Sequence, residues 1–253
     1  MITIKNRASI AKMHEAGQRL AHIFQELPSR LMPGISTLDI DSWISLEIKK
    51  NHLVSKMLGY SGYGHVSCIS INDEVVHGVP HKVKCLSDGD LVKIDVCVAY
   101  KGYCADMARS FFVGQTSDHT AKRLVEITAL SLDKGIEQAR AGNRLGDVSA
   151  AIGHTIESAG FGIVRDFAGH GIGKRMHEDP EVLNYGIPGK GPLLQVGMAF
   201  AIEPMVTVGH YDVYITEDNW TVKTTDKSLA AHVEDTVVIT QDGPLVITRI
   251  DNK

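Results

Sequence analysis

A spacing pattern recurs in this 253-residue chain after 108 residues. Leu86-x-x-Gly89-x-x-x-x-Ile94-Asp95 returns as Leu194-x-x-Gly197-x-x-x-x-Ile202-Glu203. The same offset carries Gly34 onto Gly142, Asp39 onto Asp147, Ile40 onto Val148, Ile44 onto Ile152 and Ile48 onto Ile156. A constant offset across two separated segments points to an old duplication, two halves that each hold a helix pair followed by strands. No Pro/Gly/Ser-rich linker parts the halves, so we read residues 1–253 as one domain with internal pseudo-symmetry. Apolar residues at i and i+4 predict helices near 7–27, 37–52, 118–140 and 145–159. Strand-like runs lie near 66–71, 90–100, 103–113, 162–167, 198–209, 211–216 and 232–248. Runs of strands separated by helix pairs suggest an α+β fold, with helices covering one face of a largely antiparallel sheet.

Composition narrows the function classes. With 43% hydrophobic and 22% charged residues the chain is not disordered. Its 26 Lys+Arg against 30 Asp+Glu exclude a broad basic face for nucleic acid. No apolar run approaches the roughly 18 residues of a membrane span, and charges throughout the first thirty residues predict no secretory signal. Cys68, Cys85, Cys97 and Cys104 form no C-x-x-C, and reduced cytoplasmic thiols are the simplest expectation.

The chemistry starts at two aspartates. Lys101-Gly102 is a turn signal between strand-like runs, and a two-residue loop pairs Tyr100 with Tyr103 and Cys97 with Asp106. Asp95 shares a face with Cys97, because strand side chains alternate. Asp95 and Asp106 then lie diagonally on that face, roughly 7–8 Å apart. Paired carboxylates in an apolar strand repel each other and are costly to desolvate, and a divalent cation between them removes that cost. An exposed polar face explains this pair equally well when it is taken alone. Glu203 occupies the position equivalent to Asp95, inside Phe200-Ala201-Ile202-Glu203-Pro204, and Glu234 begins a strongly strand-like run. Phe167-Ala168-Gly169-His170-Gly171-Ile172-Gly173 brackets one His with glycines, which permit close approach of a ligand. Four carboxylates and one imidazole suit Mn²⁺, Fe²⁺ or Co²⁺ better than structural zinc, and four carboxylates suit two ions better than one. Two-metal sites activate water and clamp the carbonyl it attacks, so the implied chemistry is metal-assisted hydrolysis.

These residues resemble those of the type I methionine aminopeptidases. The stretch from Phe167 through His170 and Met176-His177 to Tyr185 is similar to that family's signature, and Asp95, Asp106, His170, Glu203 and Glu234 stand in the order of its five metal ligands. Cys68-Ile69-Ser70-Ile71-Asn72 and His77-Gly78-Val79-Pro80 also look like family motifs. The resemblance implies a pita-bread fold with pseudo-two-fold duplicated halves, a curved mostly antiparallel sheet and two helix pairs. It implies removal of the initiator methionine from nascent polypeptides, with preference for a small second residue. Two divalent ions (Co, Mn or Fe, with Zn an option) would be held by the five ligands, and Asp106 and Glu234 would bridge. Glu203 would double as general base. His77 and His177 would contact the scissile peptide, and His177 would stabilise the oxyanion. Tyr60, Tyr63, Cys68, Met176 and Trp220 would wall the methionine pocket. The implied partners are the nascent-chain N-terminus and, transiently, the ribosome, for a cytoplasmic monomer without nucleic-acid cofactor or membrane contact.

Some positions depart from the commonest family pattern. Ala105 and Met107 flank the second aspartate where Gly and a hydroxyl residue are usual, Cys97 replaces Thr, and Met176 replaces Phe. Loss of hydrogen-bonding neighbours beside metal ligands predicts weaker or altered metal preference. Two rivals stand beside the leading assignment. One is a Xaa-Pro-type aminopeptidase of the same fold, whose members carry a large extra N-terminal domain. The other is a non-catalytic peptide-binding relative, against which the complete ligand set argues. Of the 12 His, only His77, His170 and His177 receive a role.

Overall fold

The computed structural model describes residues 1–250. Four long helices form where the apolar periodicity places them: α1 (Arg7–Glu26), α2 (Thr37–Lys50), α3 (His119–Gln138) and α4 (Leu145–Ser158). Each start is held by a side chain that accepts from a nearby backbone N–H. The Asn6 carboxamide accepts from Ser9 N, and Ser36 Oγ accepts from Asp39 N. Asp118 accepts from Thr120 N and Ala121 N, and Asp147 reaches back to the N–H of Arg144.

The nine-stranded main sheet consists of β1 (Val54–Ser55), β2 (Cys68–Ile71), β3 (Leu91–Tyr100), β4 (Tyr103–Phe112), β5 (Gly169–Gly171), β6 (Glu178–Val182), β7 (Ala199–Ile202), β8 (Glu234–Thr240) and β9 (Gly243–Val246). Its order is β1-β3-β4-β8-β7-β5-β6, with β2 also on β3 and β9 on β8, and every pairing is antiparallel. The curled sheet with its two helix pairs is the pita-bread arrangement. One face of β3 (Val92, Ile94, Val96 and Val98, all 0% exposed) packs with Met13, Leu20 and Ile44 of α1 and α2. Phe200, Val237 and Ile239 pack with Leu124, Leu132 and Ile152 of α3 and α4. Each such side chain contributes about 1.5–3 kcal/mol when fully buried.

The halves repeat in detail. α2 and α4 begin and end 108 residues apart. Gly34 N donates to Leu86 O and Leu86 N to Ile35 O; 108 residues on, Gly142 N donates to Leu194 O and Leu194 N to Asn143 O. Gly89 and Gly197 precede the equivalent strands at φ of 86° and 92°, a left-handed turn that glycine enters without steric cost.

The long runs differ from their sequence outlines at defined breaks. The 198–209 run divides into β7 and a three-residue strand, Met205–Thr207, because Pro204 has no N–H for the ladder. The 232–248 run is β8 and β9 around a turn, and the 162–167 run pairs only at Gly162–Ile163. Glu74–Val76, β5, β6, Val222–Thr224 and Ala230–His232 are too short to show a period.

Candidate metal centre and substrate cavity

Register lines up the acids. β3 and β4 pair Tyr100 with Tyr103, Cys97 with Asp106, and Asp95 with Ala108. Ala108 in turn lies opposite Glu234 of β8. The β7–β8 register, from Asp235 against Ile202 to Met205 against His232 beyond the break, sets Glu203 opposite Glu234. Asp95, Ala108, Glu234 and Glu203 therefore form one row across four strands. The methyl of Ala108 leaves space in the middle of that row. Asp106 lies one step along β4, its main chain clamped by Thr236 Oγ1, which accepts from Asp106 N and donates to Asp106 O. His170 on β5 completes the group, with Nε2 3.5 Å from Glu203 Oε1 and 3.9 Å from Asp106 Oδ2.

The electrostatics are those of a site built for cations. Burial first, and then neighbouring carboxylates, push Asp95 and Glu234 well above the ordinary carboxylate range. Burial and the Glu203 charge raise Asp106 to about 7, and burial raises Glu203 to about 8. Among the described residues Asp106 Oδ1 and Glu234 Oε1 are buried with no hydrogen-bond partner. Such atoms cost about 1–3 kcal/mol each if left unmet. Desolvation pulls His170 down to about 4, which keeps it neutral. Its Nδ1 lies 2.9 Å from Gly171 O; a proton donated there leaves the Nε2 lone pair facing the acids, the arrangement of a metal-ligating imidazole. Donor atoms of Asp106, His170 and Glu234 all lie within 4.8 Å of one another, as do those of Glu203, His232 and Glu234. The residues fit divalent metal. His232 received no role from the sequence, although its place two residues before Glu234 on a strand-like run was a usable signal.

All twelve residues singled out from the sequence line one cavity of about 560 Å³: the four acids and one imidazole just described, with Tyr60, Tyr63, Cys68, His77, Met176, His177 and Trp220. The Tyr60 hydroxyl lies 2.8 Å from His177 Nδ1, and the His170 and His177 rings meet edge to face at 4.4 Å. Glu178 holds that segment by accepting from Lys174 N and Arg175 N and pairing with Lys5 at 3.1 Å. Asp41 accepts from Val66 N, Ser67 N and Ser67 Oγ, which fixes the loop after Tyr63. Tyr63 then packs on Trp220 at 4.8 Å. On the far wall His77 meets Phe167 edge to face at 5.4 Å. Phe167, Met57 and Met205 are apolar wall residues that the sequence did not single out.

One expectation is corrected. Ala105 and Met107 alternate with Asp106 and point to the opposite face, where both lie in the α1–α2 core. Neither side chain faces the ligands; among the four departures only Cys97 and Met176 line the cavity.

Metallopeptidase family M24 matches the chain over residues 11–241. The methionine aminopeptidase of Clostridium acetobutylicum is 47% identical over 98% of this chain and 99% of its own length. Methionine aminopeptidase 1 of Bacillus subtilis is 42% identical over 99% of this chain and 100% of its own. The crystal structure of methionine aminopeptidase from Thermotoga maritima superposes with a TM-score of 0.96 at 42% identity, covering 98% of this chain and 100% of that one. A prolidase from Pyrococcus furiosus, at 23% identity and a TM-score of 0.77, shares the fold.

Proposed function

The chain belongs to metallopeptidase family M24, among its methionine aminopeptidases, and from that premise we propose how its cavity works. The protein is a metal-dependent hydrolase that removes initiator methionine. Our reading of the mechanism is a dinuclear one, carried by a single observation: a row of buried, mutually repelling carboxylates with unpartnered oxygens at the floor of a substrate-sized cavity.

Asp95, Asp106, His170, Glu203 and Glu234 would hold two divalent ions (Co, Mn, Fe or Zn). Bound metal supplies Lewis-acid activation of a water and of the scissile carbonyl. The remaining work belongs to side chains. Glu203, whose proton affinity burial has raised to the neutral range, takes the proton of the attacking water and delivers it to the leaving amine. With the Tyr60 hydroxyl donating to His177 Nδ1, the ring proton sits on Nε2 and is free to meet the developing oxyanion. Burial holds the His177 imidazole neutral, so it donates without carrying charge. His77, likewise neutral, orients the peptide from the opposite wall. Tyr63, Cys68, Met176 and Trp220, with Tyr60 at the rim, form an apolar, sulfur-compatible pocket for methionine.

The substrate we infer is the N-terminal methionine of a nascent chain with a small second residue, met transiently at the ribosome by a monomeric cytoplasmic enzyme; the likeness to methionine aminopeptidases and the apolar walls of the cavity support the methionine. Among the described residues no helix is long and apolar enough to cross a membrane. The test is turnover of Met-Ala-Ser, Met-Lys-Ser and a Xaa-Pro peptide by metal-reconstituted protein. We expect cleavage of Met-Ala-Ser alone. Cleavage of the Xaa-Pro peptide alone would replace this reading, and no turnover with any metal would remove it.

A further inference from the structure

His232 is 1% exposed, and its ring is aimed at the metal-ligand acids. Nε2 lies 3.5 Å from Glu203 Oε2 and, among the described residues, has no hydrogen-bond partner. The oxygen facing it is not the one facing His170, since Glu203 presents Oε1 to His170 and Oε2 to His232. Donors of Glu203, His232 and Glu234 form one compact triple, and those of Asp106, His170 and Glu234 form a second, so the two triples share Glu234 alone. Two donors on one ion at about 2.1 Å stand about 3.0–3.4 Å apart in octahedral or tetrahedral geometry. The His232–Glu203 separation is at the edge of that range.

The backbone is anchored for the purpose. Ser110 Oγ donates to His232 O and accepts from His232 N, and Met205 pairs with His232 in a separate three-stranded sheet of Gly162–Ile163, Met205–Thr207 and Ala230–His232. A buried imidazole nitrogen with no partner is otherwise a net cost.

We propose that His232 is a sixth protein ligand of the centre, binding through Nε2 an ion shared with Glu203 and Glu234, so that each of the two ions carries one imidazole. The inference rests on the two-metal reading of the site. A second nitrogen moves the donor set away from Mn²⁺ and toward Fe²⁺, Co²⁺ and Zn²⁺.

X-ray absorption on the wild-type protein loaded with two equivalents of Zn²⁺ counts the imidazoles directly. One imidazole per zinc is expected; one for every two zincs overturns the proposal. Equilibrium dialysis with metal analysis supplies an independent measure. We expect His232→Gln to weaken Zn²⁺ binding at one of the two sites by at least about tenfold and to change Mn²⁺ binding less. Unchanged Zn²⁺ affinity at both sites also overturns it. Peptide turnover by the wild-type enzyme is unaffected by either outcome, so the hydrolase reading and the sixth ligand fail separately. The absorption measurement needs no variant and stands even where His232→Gln does not fold.

Discussion

Glu234 and Asp235 are neighbours on β8, both buried acids, and they meet opposite surroundings. Asp235 is 0% exposed and saturated: Arg109 and Arg249 hold its two oxygens at 2.6 and 2.8 Å, and Thr248 Oγ1 donates at 2.8 Å. Glu234 faces the cavity with an oxygen that has no partner and three other carboxylates for company. The strand's alternation sends one acid to a structural network and the other to the proposed metal centre. Burial of an acid is therefore no guide to function. What distinguishes the working acid is the missing counter-charge, because a protein that buries an unneutralised carboxylate leaves room for a cation from outside.

The largest effect expected on the cavity side is from Glu203→Gln, which keeps shape and removes the base. Turnover of Met-Ala-Ser should fall by about 10²–10⁴-fold, and a rate within error of wild type would refute the role assigned to Glu203. The two acids of β8 should then separate in stability. Asp235→Ala leaves two arginines without their anion and should cost about 3 kcal/mol in urea unfolding. Glu234→Gln in metal-free protein should cost nothing or add stability, because it removes a repelling charge. Equal losses from the two variants would erase the distinction.

A pH series sharpens it further. Unfolded carboxylates ionise near pH 4 and unfolded imidazoles near 6.5. Asp106 and Glu203 hold their protons to about 7 and 8 when folded, so across this range the folded state binds more protons and stability falls as pH rises. His77, His170 and His232, pulled down to about 4, act in the other direction below 6.5. Between about pH 6.5 and 8 the raised carboxylates outnumber the one buried group that opposes them, Lys93, which desolvation pulls down to about 7, so the melting temperature of metal-free protein should drop there and recover when divalent metal is added. A flat profile in that window would show the acids to be neutralised internally. The smallest effect is expected at Cys97. Cys97→Thr places a hydroxyl beside Asp106, whose Oδ1 has no partner, and should tighten metal binding by up to about tenfold. Met107→Thr should lower stability and leave metal affinity unchanged, since Met107 lies in the helix-side core.

Much of this molecule is legible along the chain because its information is local. The four helices follow from apolar spacing and caps such as Ser36 and Asp118. The Lys101-Gly102 turn sets the β3–β4 register and with it the Asp95–Asp106 diagonal. The 108-residue offset announces paired halves, and equivalent hydrogen bonds repeat at that distance. The proposed ligand acids stand out as charges inside apolar strands, where isolated burial would be costly.

Contacts between distant segments carry no such mark. Nothing near Glu203 or Glu234 reveals that they face each other across a broken ladder, or that Ala108 opens the row between Asp95 and Glu234. Ala105 and Met107 read as neighbours of a ligand until the pleat turns them to the opposite face. His232 looks like any other histidine until the bend at Val233 and Pro204 swings its ring beside Glu203. The residue types, their alternation and their spacing reside in the chain. Which acids are left without a counter-charge is a property of three-dimensional neighbourhood, because neutralisation and desolvation depend on every strand that closes around a side chain.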